Sequence, residues 1–191
     1  MKVKISALLL AAIFGSTALS AVAESLSIDP THTWPRFEIS HLGFSTQIGR
    51  FNKTDGKIVI DAATKTGSID IKVDTASIDM GLEKWDTHLK SPDFFNVEKF
   101  PSMYFKSSKL KFDGDKLVGA DGELTLLGVT KPVSLNVSGY RCGNHPMTKK
   151  AMCGGEVTTT IKRSDFGMGY ALPAVGDEVK ITIPVEAYKD A

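Results

Sequence analysis

The sequence predicts an all-β protein: eight short antiparallel strands with one short helix. Apolar residues recur at every second position in eight separate stretches after residue 33, the period of half-buried strands. Gly, Pro, Asn and Asp punctuate the gaps between these stretches. A single segment, Gly81 to Leu89, breaks the period: Leu82, Trp85 and Leu89 fall at i, i+3 and i+7, helical spacing over two turns ahead of Pro92. Such strands must either stack as two sheets or close into a barrel. Alternation alone fits both.

Taken in order, the chain opens with Lys2 and Lys4, an apolar run from Ile5 to Phe14, and small residues ending in Ala21-Val22-Ala23. This is the three-part form of a secretory signal peptide with an A-x-A cleavage site. Residues 1–23 are therefore expected to be removed, leaving 24–191 as a single domain. Ser16, Thr17 and Ser20 dilute the run, which falls short of the ~20 apolar residues that a membrane span needs. No Cys lies near the cleavage site to accept a lipid. The expected location is periplasmic or secreted.

The strands follow. Phe37 and Ile39 alternate with Arg36, Glu38 and Ser40; Ile58 and Ile60 come after Asp55-Gly56; Ile69, Ile71 and Val73 alternate with Asp70, Lys72 and Asp74. After the helical segment, Met103, Phe105 and Ser107 oppose Tyr104 and Lys106, and Asp113-Gly114-Asp115 reads as a hairpin turn. Gly122, Leu124 and Leu126 form the next apolar face, then Val133, Leu135 and Val137, then Val157, Thr159 and Ile161, and last Val179, Ile181, Ile183 and Val185. In an oxidising compartment Cys142 and Cys153 are expected to form a disulfide closing the loop with Gly143, Asn144 and Pro146. The chain-entropy model values such a closure at roughly 3 kcal/mol.

Charge and motifs exclude several functions. With 23 Lys+Arg against 22 Asp+Glu and no basic run, nothing marks a nucleic-acid partner. Two Cys cannot supply a four-thiolate site, and the four His occur without H-E-x-x-H spacing, which disfavours a metal. There is no G-x-S-x-G, G-x-G-x-x-G or P-loop. The one polar cluster with chemistry is Lys84, Asp86, His88 and Lys90. Asp86 could orient His88 as a general base, yet residues two apart on a helix point to different faces. The alternatives are backbone anchoring at a barrel mouth and a polar ring that meets a ligand head group.

A family resemblance then enters. Asp29-Pro30-Thr31-His32-Thr33, Phe37-Glu38-Ile39-Ser40-His41-Leu42-Gly43 and Gly49-Arg50-Phe51 resemble the opening of the YceI-like family of exported polyisoprenoid-binding proteins. The likeness continues through Asp86 to Phe95, Phe100-Pro101, Gly122 to Val133, Arg163-Ser164-Asp165-Phe166-Gly167-Met168 and Gly176-Asp177-Glu178-Val179. Two departures stand out: Trp85 occupies the place where the family usually has Arg before the Asp-x-His-Leu run, and the cysteine loop is not expected in most members.

The resemblance implies an eight-stranded lipocalin-like antiparallel barrel with the helix near its mouth. It also implies an isoprenoid lipid, such as ubiquinone or another polyprenyl quinone, held in the lumen by a carrier or reservoir rather than an enzyme, with no cofactor required. Strand parity then assigns the lining to Phe37, Ile39, Phe44, Phe51, Met103, Phe105, Leu124, Leu126 and Phe166, with Trp85, Leu89 and Phe95 as lid or mouth and Asp86 and His88 as head-group contacts. At ~0.8 kcal/mol per buried CH₂, each five-carbon unit offers roughly 4 kcal/mol at most. Selectivity should then follow from tunnel length and width. Two other functions stay open at this level: a lipid-modifying enzyme using Asp86 and His88, and a packed structural or adhesion barrel. Transient contact with a membrane surface and pairing of two barrels are compatible partners.

Overall fold

The computed structural model describes residues 23–191, so the expected signal peptide lies outside the described residues. Eleven strands and one helix follow in order: β1 (Glu24–Ile28), β2 (Arg36–His41), β3 (Ser45–Phe51), β4 (Thr54–Asp61), β5 (Thr66–Asp74), β6 (Ile78–Asp79), α1 (Glu83–Lys90), β7 (Ser102–Asp113), β8 (Lys116–Leu126), β9 (Val129–Asn144), β10 (Ala151–Lys162) and β11 (Val175–Lys189). Every pairing is antiparallel.

These eleven strands build eight staves. Both β1 and β2 pair with β11, both β3 and β4 run beside that first stave, and β6 continues the line of β5 after a short 3-10 turn. Each stave lies next to its neighbours in sequence, and β11 meets the first one, so the sheet closes as an up-and-down barrel. The eight expected strands are its eight staves. Alternation after residue 33 did not include β1 or β3, because Pro30, Pro35 and Asn52 interrupt the period within single staves.

Two devices secure the closure. Asp190, just past β11, accepts from Ser25 Oγ and Ser27 Oγ at 2.6 Å each and from Lys57 Nζ at 2.9 Å, tying the C-terminus to β1 and β4. The two seryl hydroxyls and then the lysine hold this carboxyl well below its ordinary range. Cys142 and Cys153, directly opposed on β9 and β10 with Cα atoms 4.0 Å apart, form the expected disulfide. It staples the far end of a long hairpin.

The turns match their residues. Gly114-Asp115 joins β7 to β8 as anticipated, and Leu127-Gly128, with φ of 51° and 74°, joins β8 to β9, the positive-φ pair that a two-residue hairpin demands. Helix α1 has no side-chain cap, and Asp86 instead accepts from the backbone N–H of Met80 at 2.7 Å. An eight-residue helix is marginal alone, so packing holds it: Leu89 rests on a buried cluster of Phe51, Val73 and Ile78. β6 ends the ladder on its side, with no strand beyond it among the described residues. α1 and residues 91–101 follow β6 in the chain and precede β7.

Candidate functional site: an apolar barrel lumen

Inward parity produces a lumen. Inward-facing residues of every stave converge on a cavity of about 210 Å³, lined by apolar side chains from all eight staves. Two buried clusters bracket it. At the disulfide end, Leu26, Ile28, Ile60, Leu117, Cys153 and Ala187 pack together; at the helix end, the Phe51, Val73 and Ile78 cluster adds Phe37, Phe95 and Met103. Between them, inward residues such as Leu124, Val133, Leu135, Val157 and Ile183 have only part of their surface covered. Hydrophobic side chains that point inward yet are not fully packed define an interior suited to hydrocarbon. From Val179 to Ala187 the lined part of β11 runs ~26 Å at ~3.3 Å per residue, or ~20 Å along the axis at a typical tilt of ~40°.

The volume falls below the ~300–1,000 Å³ of sites for drug-sized ligands. A narrow channel results. Its width is set in part by Phe105, whose ring crosses Gly122 of the next stave: a Cβ at Gly122 would lie 2.5 Å from the Phe105 ring. Glycine there is what lets the aromatic ring lie flat against the wall.

Of the residues assigned to the lining, Phe37, Phe51, Met103, Phe105, Leu124 and Leu126 are on the lumen, and so is Phe95 from the lid set. Three others are displaced. Phe44 is 92% exposed at the tip of the β2–β3 hairpin, because Leu42 and Gly43, at φ of 55° and 72°, turn the chain and end the strand's parity. Ile39 keeps the parity of Phe37 and opposes Val179, but it is not among the residues around the cavity. Phe166 is buried in the 3-10 turn Arg163–Phe166, not on the lumen. Of the lid set, Leu89 packs beneath the helix without reaching the lumen, and Trp85 is partly exposed with its ring 6.4 Å from that of His41.

Asp86 and His88 go separate ways. Asp86 is engaged with the Met80 backbone, whereas His88 Nε2 lies 3.7 Å from Asp93 and its ring meets Phe94 and Tyr170 edge-on at 5.0 and 5.7 Å. The arrangement holds Asp86 and His88 apart, so these two do not form a pair.

Among the lumen residues that escaped parity reasoning, two bear on the site. Arg163, 2% exposed, lines the cavity at the helix end. Its guanidinium donates to four backbone carbonyls: Gly176 at 2.8 Å, Met168 at 3.0 Å, Tyr170 at 2.9 Å and Val175 at 3.0 Å. Burial lowers its pKa from the ordinary arginine value, but an arginine stays charged in proteins. It clasps the loop between β10 and β11 over the barrel end. Thr54, the first residue of β4, is the other.

Comparison with known proteins now bears on this geometry. The model of the YceI-like domain family matches residues 26–187. The chain belongs to the YceI-like family. Among relatives, a UPF0312 protein of Shewanella denitrificans is 34% identical over 187 residues, covering 97% of each chain. Protein YceI of Escherichia coli O157:H7 is 37% identical over 173 residues, covering 89% of this chain and 90% of that one. The crystal structure of the Campylobacter jejuni YCEI protein has a TM-score of 0.67 at 30% identity, covering 80% of this YceI-like chain and 91% of that one. A polyisoprenoid binding domain from Saccharophagus degradans shares the fold, with a TM-score of 0.64 at 15% identity over 86% of this chain and 98% of its own. No helix of the described residues is long and apolar enough to cross a membrane.

Proposed function

We propose that this protein is an exported carrier or reservoir that holds a long-chain isoprenoid lipid, such as a polyprenyl quinone, in the barrel lumen. The observation that carries the reading is the cavity itself, walled by apolar residues from every stave and only partly filled by them. Family membership supports it, as does the name of the Saccharophagus fold neighbour, a polyisoprenoid binding domain. A fully packed structural barrel would bury those inward residues against one another. Protein purified without added lipid and extracted with organic solvent is expected to release an isoprenoid lipid identifiable by mass spectrometry. Repeated recovery of lipid-free protein that also takes up no polyprenyl quinone would overturn the reading.

Exchange with a membrane fits the helix end. Leu42, Phe44, Trp85, Tyr170 and Leu172 are all exposed there, and contacts draw them together: Leu42 N–H donates to Ala174 O at 2.7 Å, Trp85 lies beside His41, and Tyr170 lies beside His88. Aromatic and leucine side chains grouped at the mouth of a lipid-filled barrel suit the headgroup region of a bilayer. Phe44→Ser is expected to slow uptake of a polyprenyl quinone from phosphatidylethanolamine and phosphatidylglycerol vesicles severalfold, leaving equilibrium binding from detergent unchanged. Stopped-flow transfer against detergent titration separates the two; equal transfer rates would remove Phe44 from the docking surface.

A further inference from the structure

The lumen gives a polar head group nothing to hold. Its wall presents almost no polar surface to the cavity. The hydroxyls of Thr33 and Thr159 donate to backbone carbonyls, and Arg163 is committed to four more. Thr54 Oγ1 has no hydrogen-bond partner among the described residues, but it is sealed within the wall and does not open onto the cavity. Desolvating a lipid head against such walls would go unrepaid. The head must therefore lie where the wall is interrupted.

One interruption is built into β9. That strand pairs with β8 from Val129 to Asn136 and with β10 from Asn136 to Asn144, so it changes partners at Asn136. β10, for its part, stays paired with β11 as far as Lys162. Toward the helix end, Val129–Leu135 and Thr159–Lys162 thus face each other across a seam without a ladder, bridged at its start by the bond from Thr159 Oγ1 to Ser134 O at 2.9 Å. Continued register would set Lys162 against Pro132, which has no N–H to give. An outer cleft of about 520 Å³ lies along the seam. Val133 and Ile161 line both this cleft and the lumen, so the two cavities meet at these side chains.

Lys131 reports the same opening. It opposes Leu124, a lumen residue, and precedes Val133 by two positions, which gives it inward parity. Yet it is exposed and lines the cleft, not the lumen. No salt bridge engages it among the described residues. Lys162, Asp165 and Glu178 share the cleft, whose charges therefore balance. What Lys131 adds is a donor at the threshold of an apolar channel.

We infer that the head of the bound lipid passes out through this seam, between Val133 and Ile161, and that Lys131 donates to an oxygen of that head while the tail stays in the lumen. The inference rests on the lipid-binding reading above and adds where the head lies and what it carries. An ammonium donates only, so the head needs an acceptor oxygen, which a hydroxyl, a carbonyl or a phosphate provides.

Three probes test it with the mature protein freed of lipid: geranylgeraniol, geranylgeranyl phosphate, and squalene as a hydrocarbon without oxygen. Lys131→Met keeps an unbranched apolar stem and removes the donor. It should weaken binding of the oxygenated lipids about two- to tenfold, the value of one hydrogen bond, and leave squalene affinity unchanged. A loss confined to the phosphate identifies an anionic head, and a loss shared with the alcohol a neutral oxygen. Lys150→Met, at an exposed lysine just before β10 at the disulfide end, should leave all three affinities at the wild-type level. Unchanged binding of both oxygenated lipids by Lys131→Met, a matching loss of squalene, or an equal effect of Lys150→Met would each overturn the seam site. Failure of wild type to bind any of the three would instead refute the lipid-binding lumen, and the seam site with it.

Discussion

Phe105→Asp should empty the barrel. Phe105, the fourth residue of β7, lies on the lumen, opposite Leu124 on one side and Ile71 on the other. A carboxylate there must either take up a proton or draw water into a channel that otherwise offers it nothing. Both outcomes spoil a surface whose attraction for hydrocarbon scales with apolar area removed from water. The lipid recovered per mole of protein is expected to fall at least tenfold, while the far-UV circular dichroism spectrum keeps its strand signal. Lys106→Ser, one residue away on the outer face, removes only the exposed ion pair with Asp70 at 3.1 Å, a contact of a kind worth about 0–1 kcal/mol. It should leave lipid content at the wild-type level. Wild-type lipid content in Phe105→Asp would show that ligand does not occupy this lumen.

The second large effect is on stability. Arg163→Ala leaves four backbone carbonyls, Met168 and Tyr170 in the β10–β11 loop and Val175 and Gly176 at the start of β11, without the donor that now satisfies them, and it opens a void where a large side chain is almost wholly buried. Each orphaned buried acceptor costs about 1–3 kcal/mol unless water reaches it. Since the loop lies at a barrel end, water will reach some of them, and a net loss on the order of 4 kcal/mol is expected. Arg163→Lys should recover only part of this, because one ammonium cannot span carbonyls that a planar guanidinium contacts through three nitrogens. Urea unfolding followed by tryptophan fluorescence measures both. A loss under about 1 kcal/mol for the alanine variant would mean that the loop is held by other contacts.

What the sequence made legible depended on whether a residue obeyed a period. Along β7 to β11 the staves are long, and Met103, Phe105, Leu124, Leu135, Val157 and Ile181 keep the alternation that shows their inward direction, although bulges at Ser107–Lys109 and Gly154–Glu156 shift the parity elsewhere. The first three staves are broken by turns, and there the reading weakened: Ser25-Leu26-Ser27-Ile28 alternates clearly but is only a few residues long, and Phe44 lies past a positive-φ turn that no parity rule crosses. Arg163 and Thr54 obey a different logic. A charged residue and a β-branched hydroxyl look like surface positions in a linear reading, and only the carbonyls that converge on one and the missing partner of the other reveal their places. The helix was legible from Leu82, Trp85 and Leu89, although the spacing could not say that Leu89 alone of the three would pack into the core.

The three interrupted staves have a mechanical consequence. Their breaks fall at one level: Phe51 N–H donates to Pro35 O, Asn52 N–H to Ser77 O and Asp74 N–H to Lys53 O. A continuous sheet resists bending across its strands because the ladder must shear, but here a crease runs across three neighbouring staves. Above it lie the β2–β3 hairpin, with Leu42 and Phe44 at its tip, and β6 with the helix that follows; β2 pairs with β11 and β3 with β6, while Phe51, Val73 and Ile78 pack together at the level of the breaks. Below the crease the ladder of β1, β4 and β5 is unbroken, clamped by Asp190. On the carrier reading, the rim above these breaks is where a tail would enter, while the unbroken ladder below keeps the wall beneath them closed.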